Sequence, residues 1–252
     1  MSSASARLTL IGLLLLLLGC SAATAENVVN FPSADSDLHG RTPTRLRGVL
    51  LRPTGDGPFS AIVVLHDCNG LYQSGRVAPR YRQWTDDFVR RGYAVLAVDS
   101  QTPRDIHDGC TTTNTHVDEE RARDAFGALA FMQRQPFVRA NRIAAVGWTQ
   151  GALSLLWALD EENGVRPANI AHRFAAAVAF SPDCGPVLER EPPWETRTPL
   201  AIFSDAVDGR FLAGSCLELV KWSRLNGEPV SITARPEASP RVPAFLARYL
   251  QP

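Results

Sequence analysis

The 252-residue chain carries 26 basic and 26 acidic residues, a formal net charge of zero, and neither sign gathers into a long block. Recognition of nucleic acid through a basic surface is therefore not expected. Hydrophobic residues make up 45% of the chain, enough for a substantial buried core.

Arg7 precedes an apolar run from Leu8 to Leu18, followed by small residues from Gly19 to Ala25. This is the layout of a secretory signal, and the run falls short of the roughly 20 residues that span a bilayer. Two processing sites compete. Leu17-Leu18-Gly19-Cys20 resembles a lipobox, which would anchor the protein to a membrane through a lipid on Cys20, and Ala23-Thr24-Ala25 suits cleavage before Glu26. In either case residues 1–25 stand outside the fold, and residues 26–252 suit one domain. An exported, periplasmic protein is expected.

From Leu46 onward, apolar runs alternate with stretches of helical period, the pattern of parallel strands joined by crossover helices. Strands are expected at Leu46–Leu51, Ala61–Leu65, Tyr93–Val98, Arg142–Val146, Phe174–Phe180, Leu200–Phe203 and Val230–Ala234. Most are continuously apolar, as strands covered on both faces should be. Tyr81, Trp84 and Phe88 share one helical face, and so do Ala122, Ala125, Phe126, Leu129 and Met132. Asp118, Glu119 and Glu120 open the second of these helices, where solvated carboxylates suit the positive end of the helix dipole. A third helix buries Leu155, Leu156 and Leu159, and a last one runs from Val242 to Leu250. The fold class is α/β, with a mostly parallel sheet, helices on both faces and the ligand site at the carboxyl ends of the strands.

The strand ending at Val146 leads into Gly147-Trp148-Thr149-Gln150-Gly151 and then an apolar helix. That strand, sharp turn and helix form the context of a nucleophile elbow, whose central residue is held at positive φ with its side chain exposed. Here that residue is Thr149 in place of serine or cysteine, and its branched side chain resists the conformation. A turn that serves only packing is the alternative. The segment Leu65-His66-Asp67-Cys68-Asn69-Gly70 follows the strand from Ala61, where elbow enzymes take one amide of the oxyanion hole. The N–H groups of Cys68 and Gln150 are the candidate donors. His66, read alone, is better explained as a residue that orders its loop.

Once Cys20 is removed or lipidated, four cysteines remain, and an even number in an oxidising compartment favours two disulfides in any of three pairings. None has the spacing of a zinc or redox motif, and neither a metal nor a cofactor is expected.

His66-Asp67-Cys68-Asn69-Gly70-Leu71, Ala97-Val98-Asp99-Ser100 and Val146-Gly147-Trp148-Thr149-Gln150-Gly151, in that order and spacing, resemble the motifs of the dienelactone hydrolase family. The likeness runs from about Leu46 to Leu250 and is nearest the exported, cysteine-containing members. It implies an α/β-hydrolase fold and hydrolysis of small esters or lactones by a nucleophile, a histidine and an aspartate. It places Thr149 at the nucleophile and Asp67 where many members carry a glutamate that contacts the nucleophile. Asp208, in Ser204-Asp205-Ala206-Val207-Asp208, takes the place of the triad acid, although a plain loop aspartate explains it equally. The likeness also implies pairing of Cys68 with Cys110 and of Cys184 with Cys216, which would clamp loops on the active face.

The chain departs from the family twice. Threonine replaces the nucleophile, and no histidine follows His172, whereas the family pattern puts the catalytic one near Ser239 or Pro240. Without an imidazole to accept its proton, a threonine hydroxyl is a very poor nucleophile. His66, His107 and His116 are the candidates for a displaced base, while His172 is expected at the opposite edge of the sheet. Three functions follow: slow or altered hydrolysis of a small ester or lactone, a non-catalytic pseudo-hydrolase that binds a small molecule or a partner protein, or a purely structural envelope protein that keeps the pocket as an unused remnant. The stretch from Asp183 to Pro199, with Pro192, Pro193 and Trp194, either walls a pocket or makes a surface excursion.

Overall fold

A computed structural model describes residues 27–40, 42–111, 117–162, 165–167, 170, 173–204, 212–234 and 238–251. Residues 1–25 with Cys20, and Asp205, Asp208, His116 and His172, lie outside the described residues.

Eight strands form the main sheet: β1 (Asn27–Pro32), β2 (Arg45–Leu51), β3 (Phe59–Leu65), β6 (Ala94–Asp99), β7 (Val138–Trp148), β8 (Ala176–Phe180), β9 (Leu200–Ser204) and β10 (Val230–Ala234). Two short strands, β4 (Tyr72–Gln73) and β5 (Arg76–Val77), pair separately as a hairpin. The spatial order is β1-β2-β6-β3-β7-β8-β9-β10, antiparallel as far as β6 and parallel from β6 to β10. The expected fold class is thus met. The chain leaves β3 towards β6 on one side and returns to β7 on the other, so the order reverses at β3. A crevice outside the carboxyl ends of the strands opens at such a reversal, and the loops after β3 and β7 both end there.

Period-two alternation divides the core into two layers. Ala61, Val63 and Leu65 of β3 face α3 (Val117–Gln133), α4 (Gln150–Leu159) and α6 (Leu212–Leu225). Ile62 and Val64 face α2 (Pro79–Arg90) and α7 (Ala238–Leu250). α3 buries Ala122, Ala125, Phe126, Leu129 and Met132 as its period requires, and α2 buries Tyr81 and Phe88. Two short helices, α1 (Ser36–His39) and α5 (Gly185–Leu188), complete the chain order.

The sequence reading missed β1, whose residues are mostly exposed and carry no apolar alternation. It also began β7 at Arg142, although pairing of Phe59 with Val138 and a register shift start that strand earlier. The excursion from Asp183 to Pro199 packs inward at Trp194, whose indole N–H donates to the Leu156 carbonyl at 2.8 Å. Together with α6 it walls a cleft of about 450 Å³ lined by Val187, Trp194 and Trp222, and the elbow does not contribute to that lining. Both implied disulfides are present, Cys68–Cys110 and Cys184–Cys216, with Cα separations of 4.7 and 5.0 Å.

The carboxylates opening α3 are not the solvated helix start that the sequence suggested. Glu120 is buried, its Oε2 lying 3.6 Å from Arg104 Nε. Burial raises the Asp118 pKa, more than the nearby Arg121 cation lowers it. Arg104, on the 3₁₀ turn after β6, is the hub of the charged cluster. Its Nη atoms donate to both carboxylate oxygens of the fully buried Asp124 at 2.8 Å and to Asp35 Oδ2 at 2.9 Å. Ser33 Oγ donates to Asp124 at 2.6 Å, and Thr44 binds Asp35 through its N–H and its hydroxyl at 2.9 and 2.5 Å. Burial would raise the Asp35 pKa, but these hydrogen bonds and the Arg104 charge together hold it below the ordinary value. The N-terminal segment, the loop after β6 and α3 are thereby joined beneath the carboxyl edge of the sheet.

Replacing Arg104 with methionine would remove the cation that Asp35, Glu120 and Asp124 share. Breaking a buried ion cluster from one side costs about 3–5 kcal/mol. Urea denaturation of Arg104→Met should show a loss of that order, and a loss below about 1 kcal/mol would contradict the stabilising role of the cluster.

Candidate active site

β7 ends at Trp148, Thr149 turns the chain, and α4 begins at Gln150. Thr149 has φ 47° and ψ −103°, a positive-φ conformation that costs a β-branched residue of order 1–3 kcal/mol. Main-chain bonds on both sides impose it. The Thr149 N–H donates to the Phe180 carbonyl at 2.8 Å, extending the β7–β8 ladder, while its carbonyl accepts the Leu153 N–H at 2.9 Å as the first helical bond of α4. A threonine at this position usually caps the helix with its hydroxyl. Here the side chain makes no capping bond and is exposed, so the hydroxyl stands outside the helix hydrogen bonding.

The two flanking glycines are sterically required. A Cβ on Gly151 would lie 2.4 Å from the His66 carbonyl oxygen and 2.6 Å from that of Leu65. One on Gly147 would lie 2.5 Å from the Gly151 carbonyl oxygen. The first turn of α4 therefore rests directly on the end of β3. That contact brings Cys68, two residues beyond His66, and Gln150, immediately after Thr149, to the same edge of the sheet. Gln150 is the first residue of α4, where a helix N–H has no intrahelical partner.

His66 is fully buried and both of its ring nitrogens are engaged. Nδ1 lies 2.6 Å from the Asp67 carbonyl oxygen, and Nε2 accepts the Ser100 N–H at 3.2 Å. This network assigns the neutral Nδ1–H tautomer. Desolvation, and then the Arg121 cation 3.4 Å from Nδ1, push its pKa well below the ordinary histidine value. His66 orders the loop and has no lone pair left to accept a proton from Thr149. His107 sits at the surface beside the equally exposed Asp105, with 3.2 Å between Nε2 and Oδ1.

The Asp67 carboxylate is engaged by its own loop and by α2. Oδ1 accepts the Asn69 N–H at 2.9 Å, and Oδ2 accepts from Arg80 Nη1 at 2.6 Å. The Asp67 N–H donates to the Tyr81 hydroxyl at 2.8 Å. A polar hollow of about 510 Å³ opens beside it, lined by Asn69, Tyr72, Gln73 and Arg80. The Cys68 carbonyl accepts from Gln101 Nε2 at 2.9 Å, and the Cys68–Cys110 disulfide fixes the same residue to the loop after β6. Cys184 and Cys216 are fully buried where the loop after β8 meets α6.

Arg121 and Ser181 were not singled out from the sequence. Arg121 reaches the His66 carbonyl and Gln150 Oε1, the latter at 2.7 Å. Its only trace is a charge inside an otherwise apolar helical period. Ser181, just after β8, also has a positive φ, 46°, and sits next to the carbonyl that accepts from Thr149.

No family model matches the chain. Among curated proteins it is similar to "Putative hydrolase YtaP" of Bacillus subtilis, with 25% identity over 154 residues, 54% of this chain and 50% of that protein. The chain thus spans about half the length of this curated relative. Solved structures with similar folds include the thermophilic esterase Est2 of Thermogutta terrifontis, at 18% identity and TM-score 0.65 over 90% of this chain and 94% of that one. The Pyrococcus furiosus esterase Pf2001 aligns at 18% identity and TM-score 0.62 over 89% and 93% of the two chains. Dipeptidyl peptidase 4 of Porphyromonas gingivalis aligns at 16% identity and TM-score 0.64 over 89% of this chain and 35% of that one. The fold is that of the α/β-hydrolases.

Because the folded state keeps His66 neutral and the unfolded state does not, the unfolded chain binds more protons below its ordinary pKa of 6.5. Stability from this residue is complete above that pH and falls as pH drops, by about 1.4 kcal/mol per unit. Urea titrations between pH 7 and 5 should show this slope in the wild type and its loss in His66→Gln. An unchanged slope in the variant would refute the assignment.

Proposed function

We propose that the chain is a dienelactone-hydrolase-like protein of the cell envelope that hydrolyses a small ester or lactone slowly, with Thr149 as nucleophile. One observation carries the reading: Thr149 is held at φ 47° with its side chain exposed and free of helix capping. Strain of that size persists only where the surroundings over-determine it, and such strain clusters at reactive sites. The motif resemblance, the hydrolase-like relative and the esterase neighbours support the same reading. Export is supported by two disulfides, which form and persist in oxidising compartments. Within this reading the signal segment delivers the chain to the periplasm, with Cys20 as the site of a lipid anchor.

In the proposed reaction the Thr149 hydroxyl oxygen attacks the carbonyl carbon while solvent water takes its proton, and the developing oxyanion accepts from the N–H groups of Cys68 and Gln150. Collapse breaks the acyl C–O bond, the departing alkoxide regains a proton from water, and a second water hydrolyses the threonine ester to release the acid and restore the hydroxyl. Asp208 is the proposed acid of the site. Attack is slow because His66, with both ring nitrogens engaged, cannot take the hydroxyl proton, and the added methyl group crowds the approach.

The engagement of both His66 nitrogens favours a second reading, in which the site binds a small molecule or a partner protein without turning it over. Hydrolysis of p-nitrophenyl acetate and of a small lactone separates the two. Slow catalysis predicts that Thr149→Ala falls to the buffer rate and that Thr149→Ser, with an unbranched nucleophile, gains about tenfold, equivalent to about 1.4 kcal/mol of barrier. Equal rates in all three proteins would eliminate catalysis and leave the binding reading.

A further inference from the structure

Two amides that serve one oxyanion must keep a fixed separation, yet Cys68 and Gln150 belong to different loops. Their alignment needs a cross-link, and the packing of Gly151 against Leu65 and His66 supplies only contact. We infer that Arg121, buried on α3 and bonded to both the His66 carbonyl and the Gln150 side chain, is the positioning residue that sets the spacing of the two oxyanion donors. The inference rests on the hydrolase-like reading of the site.

The geometry fits this role closely. One end of the guanidinium, Nη2, donates to the main chain of the loop carrying Cys68, and the other, Nη1, donates to Gln150 Oε1 at 2.7 Å. A planar guanidinium fixes two acceptors at a set distance and angle, which an ammonium cannot do. Burying such a cation carries a large desolvation cost, which the charges of Asp124 and Asp118 only partly offset. A buried arginine whose hydrogen bonds go to a loop carbonyl and the first residue of an elbow helix contributes little that an apolar side chain would not give to the core. It does hold two segments in register. The same residue disfavours protonation of His66, which keeps Nε2 available as an acceptor for the Ser100 N–H.

The test uses sodium butyrate, whose carboxylate can accept from both amides at once, with the backbone amide signals of Cys68 and Gln150 followed by ¹⁵N NMR. In the wild type both signals should shift along one binding curve. Arg121→Met, with its fold checked by circular dichroism, should bind about tenfold more weakly, and the two signals should no longer titrate together. Arg121→Lys, which keeps the charge but loses the planar fork, should also be weakened. Gln150→Ala cuts one of the two bonds at a partly exposed side chain and carries the test should Arg121→Met fail to fold; a loss of about threefold is expected. Wild-type affinity in Arg121→Met, Arg121→Lys or Gln150→Ala would overturn the positioning role while leaving the anion site in place. Absence of any shift in the wild type would overturn the hydrolase-like site and this role together.

Discussion

Helix α4 can start where it does only because residue 151 has no side chain. The Cα of Gly151 lies against the carbonyl oxygens that end β3, and a single methyl group there would overlap both. From this contact follow the sharp turn at Thr149, the proximity of the Cys68 and Gln150 loops, and the placing of Gly147 under the Gly151 carbonyl. Overpacking of this kind cannot be relieved by rotating a side chain, since the clashing atoms are main chain on both sides. The turn is thus enforced by the sheet and helix it joins, and Thr149 accepts a conformation that it would not choose.

A second layer of constraint is electrostatic. Arg104 gathers Asp35, Asp124 and Glu120 beneath the carboxyl edge, and Arg121 lies one turn along the same helix from the Asp124 it needs as counter-charge. Buried ion clusters give little net stability compared with apolar packing, but they are costly to break and so fix geometry. Loops that would otherwise move are held by charges, by the Gln101 amide on the Cys68 carbonyl and by two disulfides. These links tie the loops after β3, β6 and β8 to their neighbours at the edge of the sheet where Thr149 lies.

Much of this was legible in the sequence because period and packing are local. The strands from Leu46 onward, the helical faces of α2 and α3, and the elbow all announce themselves through apolar spacing and two glycines. β1 escaped because an exposed edge strand has no apolar alternation to display. Arg121 escaped for a different reason: its partners are a main-chain carbonyl and a residue 29 positions away, and no sequence pattern encodes that meeting. The same holds for Glu120 and Asp118, which looked like a solvated helix start until the Arg104 and Arg121 side chains folded over them. That His66 is committed to its loop was only half visible, since a sequence shows that the residue exists but not that both its nitrogens are engaged.

The account stands on the conformational strain at Thr149, and strain is measurable without knowing any substrate. Glycine tolerates positive φ without steric cost, while the exposed threonine side chain contributes little packing that would be lost. Urea denaturation of Thr149→Gly should therefore show a protein more stable than wild type by about 1 kcal/mol with an unchanged slope, the relief of strain exceeding the extra chain entropy of glycine. A variant less stable by a similar amount would mean that Thr149 is at rest in its turn, and the elbow would be ordinary packing.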